Sequence, residues 1–184
     1  MPIIRLSKVI RFFDFILSLV GLVVLAPIFI VLAIWIKIDS KGPVFYKQVR
    51  VGQNGIDFGL FKFRSMVVDA DKKGLITVGG RDPRINVLLG DMSLVGPRPE
   101  VRKYVELYTD EQQKVLSVKP GITDYASIEY MDENEILGKS NDPEKTYIEE
   151  IMPEKIKYNM KYIQNKNVSE YFKIIFLTLL KIVR

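Results

Sequence analysis

The chain contains neither cysteine nor histidine among its 184 residues. This absence excludes disulfide bonds, thiolate nucleophiles, zinc sites built from Cys and His, and Ser-His or Cys-His catalytic pairs. Any chemistry must therefore rest on carboxylates, amines, guanidinium groups, hydroxyls or a cation held by oxygen ligands. Magnesium is a hard ion that fits such a ligand set.

Charge is also scarce over a long N-terminal stretch. Between Phe12 and Ile38 the only charged residues are Asp14 and Lys37, and roughly 20 apolar residues are enough to cross a bilayer. A signal peptide has a shorter apolar region that ends at a small-residue cleavage site. We therefore interpret residues 9–38 as a retained membrane anchor, with the basic residues ahead of it favouring a cytoplasmic N-terminus.

Pro27 lies near the centre of this anchor, where proline removes a helix hydrogen bond and clashes with the preceding turn. Positive charge flanks both ends, with Lys8 before the anchor and Lys41 after it. A helix kinked at Pro27 that enters and leaves by the same face accounts for both observations. A plain spanning helix with a tolerated proline is the alternative, and the residues alone leave both open.

The length predicts one domain over residues 1–184. The net charge of +5 would suit either nucleic acid or an anionic membrane surface. The sequence has no basic run with interleaved aromatics, no RNP-like motif and no helix-turn-helix pattern. We therefore expect no nucleic-acid partner, and we expect phospholipid headgroups as the anionic partner.

Two β-prone runs, Gly42–Arg50 and Phe58–Arg64, flank the pair Asn54-Gly55. This pattern predicts a β-hairpin. Alternation along the second run places Phe61 and Phe63 on one face and Lys62 and Arg64 on the other. Two neighbouring cations repel each other unless an anion lies between them, although a solvated strand face is the plainer interpretation.

The stretch Gly90–Glu100 reads Gly-Asp-Met-Ser-Leu-Val-Gly-Pro-Arg-Pro-Glu. Because proline fixes φ and lacks an N–H, Gly96–Pro99 cannot be helix interior or central strand. Such a stiff backbone can hold the guanidinium of Arg98 at a set angle, and a guanidinium suits bidentate binding of phosphate. A proline-rich turn with a solvated arginine is the alternative.

The C-terminal half predicts helices, and the fold class is therefore α+β and mainly helical. The last helix is apolar but short and carries lysines, so we expect it to lie in the membrane interface, with a core helix as the alternative. Caps are expected from Asp142 and Ser169. The predicted helices are Val101–Val118, Pro143–Ile151, Pro153–Gln164 and Glu170–Val183.

Taken in order, these pieces resemble the bacterial sugar transferase family, the monotopic phosphoglycosyl transferases. The resemblance runs from about Lys8 to the C-terminus. It implies one domain with a proline-kinked re-entrant membrane helix, a small β-hairpin and interfacial amphipathic helices. The matching pieces are Arg11-x-x-Asp14, the proline-broken apolar segment, Gly42–Phe45, Gln48-x-Arg50-x-Gly52, Phe61–Met66, Gly90–Glu100 and Lys119–Thr123.

The resemblance also implies an activity. Such an enzyme moves a sugar 1-phosphate from a UDP-sugar to polyprenol (undecaprenyl) phosphate and releases UMP. The family works on the cytoplasmic face of the bacterial inner membrane, in the first membrane step of glycoconjugate biosynthesis. It needs Mg²⁺ and forms a covalent phosphosugar intermediate on an aspartate.

By resemblance, Arg98 would hold a phosphate, and Lys62 and Arg64 would lie on the same anion-binding face. Asp91 and Glu100 would orient the arginine rather than react. The segment Asp124–Tyr130 is expected to touch the sugar, whose stereochemistry no residue pattern predicts.

The sequence departs from the family at one place. The nucleophilic aspartate and the glutamate after it lie, in the family, within a Leu-Asp-Glu-Leu-Pro-like segment, but here Ile85 runs directly into Asn86. Roughly 18 residues are missing by the motif comparison. The acid pairs Asp110-Glu111 and Asp132-Glu133 lie outside the matching context, and we interpret them as a cap or first-turn acid and a solvated loop.

Three explanations are open for this departure. The natural protein carries a segment that this sequence lacks, and is an active transferase. Alternatively, the chain is a deletion that binds nucleotide-sugar or membrane as an inactive scaffold, or Asp82 or Asp91 replaces the nucleophile. Intact motifs on both sides of the junction favour the first explanation.

Overall fold

The computed structural model describes residues 3–39, 41–63 and 83–183, with side chains from Arg5 onward. Helices dominate this part of the chain, with two small pairs of strands. The predicted class, α+β and mainly helical, is confirmed at that level. Arg64 and Asp82 lie outside the described residues.

Helix α1 runs from Ile3 to Asp39 without a break at Pro27. By length and composition it could cross a membrane. Ile10, Asp14 and Ser18 are at most 3% exposed and form one stripe at a spacing of four residues, which packs against the rest of the protein. The other faces of α1 are largely apolar and exposed, while the kink and the re-entrant path stay predictions.

The predicted hairpin is confirmed. Strands β1 (Phe45–Val51) and β2 (Asp57–Phe63) pair antiparallel. Between them, a short 3₁₀ turn at Gln53–Gly55 places Asn54 and Gly55 at φ values of 56° and 74°. Both values lie in the left-handed region that an Asn-Gly pair tolerates best, so local chemistry sets this turn.

A second, parallel pair of strands was not anticipated. It joins β3 (Ser93–Val95) to β4 (Gly121–Thr123). Just past β3, the backbone of Gly96 lies so close to β4 that a Cβ on it would be 2.5 Å from the carbonyl oxygen of Lys119. A Cβ on Gly121 would be 2.1 Å from the nitrogen of Gly96, so glycine is required on both sides.

Helix α2 (Arg84–Leu89) precedes β3. The prediction of one helix over Val101–Val118 is wrong, because Thr109 and Gln112 form a capping box that begins a new helix in its middle. Asp110 is consequently a first-turn acid. In place of the single helix the structure has α3 (Arg102–Val105), α4 (Asp110–Gln113) and a 3₁₀ turn (Lys114–Ser117).

The cap at Asp142 is confirmed, because its carboxylate accepts the N–H of Lys145 at 3.0 Å. The two helices expected after it form one continuous run. A π-helical turn joins them, and Pro153, which lacks an N–H, follows it closely, as expected where the regular hydrogen-bond ladder is interrupted. The three parts are α7 (Pro143–Thr146), the turn Tyr147–Ile151 and α8 (Met152–Gln164).

Two further expectations are corrected in this half of the chain. Glu133 does not lie in a solvated loop, because it begins α6 (Glu133–Gly138) and pairs at 2.7 Å with Lys155, which is nearly buried. The cap of the last helix is Asn167 rather than Ser169, since its side-chain oxygen accepts the N–H of Glu170 at 2.9 Å.

That last helix, α9 (Val168–Val183), packs its N-terminal half against α1. The rings of Phe13 and Phe172 meet edge-on at 4.9 Å. Its C-terminal half leaves an apolar surface exposed, as an interfacial helix would. The interfacial placement itself stays a prediction. A short helix, α5 (Tyr125–Glu129), packs between α8 and α9 and completes the described elements.

Candidate functional site

The proline-flanked Arg98 leaves the end of β3 in a segment without regular structure, as its sequence predicts. Its side chain is exposed. Within the part of the chain that the structure describes, the guanidinium makes no hydrogen bond or ion pair. It is therefore available to an anionic ligand.

The backbone of Arg98 is fixed by a buried carboxylate. Because Pro97 and Pro99 have no N–H, the N–H of Arg98 is the single backbone donor in the three residues. It donates to Oδ2 of Asp124 at 3.2 Å, while Oδ1 accepts the N–H of Ser127 at 2.5 Å and caps α5. Asp124 is 1% exposed, and burial raises the pKa of its carboxyl group.

Two further cations lie on the hairpin beside Arg98 and share one acceptor. The guanidinium of Arg50 donates to Oε1 of Gln48 at 2.9 Å and to the carbonyl oxygen of Pro99 at 3.1 Å. The ammonium of Lys62, which is 2% exposed, donates to the same Gln48 oxygen. A neutral amide oxygen thus bridges the buried ammonium of Lys62 and the partly buried guanidinium of Arg50.

Among the residues that the structure describes, Glu100 is the carboxylate of this cluster. Its Oε2 lies 3.7 Å from Nη1 of Arg50, and its Oε1 accepts the hydroxyl of Tyr147. Burial lowers the pKa of the Arg50 guanidinium, with Glu100 opposing this effect and the neighbouring Arg98 adding to it. Glu100 therefore contacts Arg50, whereas the carboxylate that holds the Arg98 backbone is Asp124.

Of the predicted site residues, the structure brings Lys62 and Arg98 to one cluster through Gln48 and Arg50. Asp91 is exposed and accepts the side-chain amide of Asn86 at 3.3 Å. The role of Arg64 stays a prediction, as do the roles of the other residues.

Sequence reasoning missed Gln48 and Arg50 as site residues, and it assigned the segment of Asp124 to the sugar rather than to the backbone of Arg98. The first two could have been found, because Tyr46 lies opposite Lys62 in the hairpin and every second residue of β1 shares that face. Asp124 offers no such signal. Its contact with Arg98 joins residues 26 positions apart, and only the parallel strand pair brings them together.

The junction at which the family segment is missing lies inside α2. Asn86, the first residue after it, is fully buried. Its Oδ1 accepts the N–H of Phe61 at 3.0 Å, and its Nδ2 donates to the carbonyl oxygen of Gly59 at 2.8 Å. The junction is therefore held against β2, the strand that carries Lys62.

The described residues do not fit a magnesium ion. Within residues 5–39, 41–63 and 83–183 no group of three acidic side chains converges as metal ligands would. The buried carboxylates Asp14 and Asp124 accept hydrogen bonds from the protein instead.

The sequence profile of the bacterial sugar transferases matches residues 6–86 and 84–184. The chain belongs to this family. Two of its relatives span most of the chain. UDP-glucose:undecaprenyl-phosphate glucose-1-phosphate transferase of Klebsiella pneumoniae is 35% identical over 93% of this chain and 39% of the relative. UDP-N-acetylgalactosamine-undecaprenyl-phosphate N-acetylgalactosaminephosphotransferase of Aeromonas hydrophila is 30% identical over 92% of this chain and 42% of the relative.

A third relative, the uncharacterized sugar transferase EpsL of Bacillus subtilis (strain 168), is 43% identical over 55% of this chain and 57% of its own length. The chain thus spans about two fifths of the length of the two long relatives.

The two blocks matched by the family profile meet at Arg84–Asn86, the junction at which the family resemblance predicts a further segment. The alignment with the Klebsiella relative extends over 193 positions, yet 93% of this 184-residue sugar transferase is only about 171 residues. About 22 positions of that alignment therefore have no residue in this chain.

Proposed function

We propose that this sugar transferase acts in the transfer of a sugar 1-phosphate from a UDP-sugar to polyprenol phosphate, with release of UMP. The observation that carries the proposal is the exposed guanidinium of Arg98 on a backbone fixed by two prolines and Asp124. On the neighbouring hairpin, Arg50 and Lys62 add two more cationic side chains to this part of the protein. Such a cluster suits the diphosphate of the donor.

Phosphoryl transfer depends mainly on positioning and on neutralising the charge of the transferred group. In the proposed reaction a carboxylate oxygen attacks the β-phosphorus, the bond from that phosphorus to the bridging oxygen breaks, and UMP leaves with the electron pair. An oxygen of the polyprenol phosphate then attacks the same phosphorus and releases the carboxylate. Arg98 would hold a phosphate of the donor while the carboxylate attacks.

The attacking carboxylate belongs, in this proposal, to the family segment that is missing between Ile85 and Asn86. The buried contacts of Asn86 support this, because they place the insertion point against β2, beside Lys62. A segment inserted there would emerge next to the cation cluster. Magnesium stays a proposal from the family resemblance, and we assign it no ligand among the described residues.

We also propose that the protein is monotopic and works on the cytoplasmic face of the bacterial inner membrane, with α1 re-entrant at Pro27. The long apolar surface of α1 and the exposed apolar half of α9 support membrane association. The basic N-terminal residues favour the cytoplasmic side.

The test is a UMP-release assay with undecaprenyl phosphate and a panel of UDP-glucose, UDP-galactose and UDP-N-acetylgalactosamine. Two proteins are compared: this chain, and the same chain with the Klebsiella relative's segment inserted between Ile85 and Asn86. We expect UMP only from the second protein, and only with one or few of the sugars. Absence of UMP from both proteins, when both bind UDP, would contradict the transferase proposal and favour a nucleotide-sugar-binding scaffold.

Arg98→Ala supplies the second arm of the test. Removing a charge-assisted bidentate contact should weaken UDP binding by about 10- to 100-fold. Arg102→Ala is the matched control, because Arg102 is an exposed arginine nearby that pairs with Asp57 instead. Equal UDP affinity of the two variants would remove Arg98 from the site.

A further inference from the structure

A second cluster of cations lies where α1 meets the body of the protein. Arg11 donates to the carbonyl oxygens of Val87 and Leu88, the latter at 2.7 Å, at the C-terminal end of α2. Lys119 donates to the carbonyl oxygen of Gly90 at 2.6 Å. A Cβ on Gly90 would lie 3.3 Å from Nη2 of Arg11 and 3.7 Å from Nζ of Lys119, so the two cations flank one point.

Lys166 supplies the third cation, from the turn between α8 and α9. The tyrosines on either side of this turn, Tyr162 and Tyr171, are buried against α1, and the hydroxyl of Tyr171 donates to Asp14 at 2.8 Å. Lys166 itself is half-buried, and among the described residues it makes no hydrogen bond or ion pair. The buried hydroxyl of Tyr162 also has no partner in that part of the chain.

Among the described residues, the three cations of this cluster have two carboxylates near them, Asp14 and Asp91. Burial lowers the pKa of Lys119, and the nearby Arg11 adds to that effect, while Asp14 and Asp91 oppose it. Burial likewise lowers the pKa of Lys166, with Asp14 opposing and Lys119 adding to the effect. The Asp14 carboxylate is already engaged, since its Oδ1 accepts three hydrogen bonds from the protein. An anion from outside would relieve the repulsion.

The cluster lies at a defined level of the anchor helix. Charged residues occur along α1 up to Asp14, and the next one is Lys37. Arg11 therefore marks the level at which α1 changes from a charged to an apolar surface. In a membrane protein this level coincides with the lipid headgroups, whose phosphates attract lysine and arginine.

We propose that Arg11, Lys119 and Lys166 form a binding site for the phosphate group of a membrane lipid. Lys119 and Lys166 keep ammonium protons for the ligand, because the recorded bond of Lys119 to Gly90 uses only one of three. The lipid tail would lie along the exposed apolar surface of α1. The inference rests on the membrane association proposed above and is independent of the transfer reaction.

The experiment uses the full chain in neutral detergent micelles. Shifts of the thermal-unfolding midpoint are recorded during titration with undecaprenyl phosphate, phosphatidylglycerol, phosphatidylcholine or inorganic phosphate. The wild type is compared with Lys166→Gln, with Lys166→Arg, and with the control Lys139→Gln, which removes an exposed lysine paired with Glu135. Micelle insertion of the wild type is checked separately, so that a failure of membrane association is distinguishable from a failure of this site.

We expect an apparent affinity for one of the two anionic lipids that falls about tenfold in Lys166→Gln, since one charge-assisted contact is lost. Lys166→Arg should recover it and Lys139→Gln should not change it. Preference for undecaprenyl phosphate over phosphatidylglycerol would identify the lipid as the acceptor, and the reverse would identify a headgroup anchor. Equal binding of phosphatidylcholine, equal binding of inorganic phosphate, or no effect of Lys166→Gln would each overturn the proposal.

Discussion

The backbone N–H of Arg98 and the buried carboxylate of Asp124 form a hydrogen bond of 3.2 Å. Since the two prolines on either side leave no other donor, this bond and the fixed proline φ angles together set the direction of the Arg98 side chain. Asp124 therefore positions the backbone of Arg98, the residue proposed to hold a phosphate, although sequence reasoning assigned its segment to the sugar. It also caps α5, so the site and the helical body share one carboxylate.

Asp124→Asn should weaken UDP binding by about tenfold, because the amide oxygen can accept from only one of the two N–H donors and the amide NH₂ faces the other. The buried mismatch should also lower stability by about 1–3 kcal/mol. Isothermal titration with UDP and thermal unfolding measure the two effects. The control is Asp142→Asn, which alters the cap of α7 instead. If this control variant also loses affinity for UDP, a specific role of Asp124 is contradicted.

The free energy of unfolding should depend on pH through the ionisation of Asp124. Burial raises the pKa of this group, so the folded state holds the proton more tightly than the unfolded state, and ionisation reduces stability. The reduction is present above the raised pKa and is relieved as pH falls toward the ordinary value for Asp. As pH falls toward the ordinary pKa of Asp, the unfolding midpoint of the wild type should rise relative to that of Asp124→Asn. A difference that does not vary with pH would refute this.

Gly96→Ala should disrupt the parallel strand pair. Its Cβ would meet the backbone of Lys119 and Gly121 at 2.5 Å and 3.1 Å, and backbone atoms cannot move aside as a flexible side chain can. Overpacking of this kind typically reduces stability by about 1–3 kcal/mol or more. Gly138→Ala is the matched control, because a Cβ there meets nothing within 4 Å, and its unfolding midpoint should stay the same or rise.

Asp14→Ala should reduce stability by about 3 kcal/mol, since the donors of Ser93, Leu94 and Tyr171 lose their common acceptor inside the protein. All three bonds go to Oδ1, so Asp14→Asn can keep them and should be much milder. Asp39→Ala, at the exposed end of the same helix, serves as control. Thermal unfolding in detergent measures the relative stability of these variants. If Asp14→Asn is as unstable as Asp14→Ala, this geometry is contradicted.

Local signals in the sequence were sufficient where neighbouring residues decide the structure. The Asn54-Gly55 turn and the Asp142 cap depend on residues within a few positions, and both were predicted correctly. The break at Thr109 was also local, but its Thr-Gln capping box was outweighed by the apolar periodicity around it. The cap at Asn167 was missed for a similar reason, because a serine two positions on offered a plausible cap.

The rest could not be predicted because it depends on long-range pairing. Strands β3 and β4 have three residues each, too few for a periodic pattern, and the pairing joins Ser93 to Gly121. Part of the candidate site could not be predicted for the same reason. Arg98 and Lys62 were identified from motifs. Asp124 reaches Arg98 only through the pairing of β3 with β4, which no pattern in the sequence predicts.

The bond network of Asp14 has a practical consequence for the anchor. Helix α1 supplies the Asp14 oxygen that accepts hydrogen bonds from Ser93 and Leu94, a few residues before Arg98. Helix α1 is therefore a structural part of the body that carries Arg98. It does more than hold an independent domain near the membrane. A protein truncated after Ile38 to remove the anchor would lack the Asp14 carboxylate. Even if such a protein is soluble, we expect the residues around β3 to be misassembled.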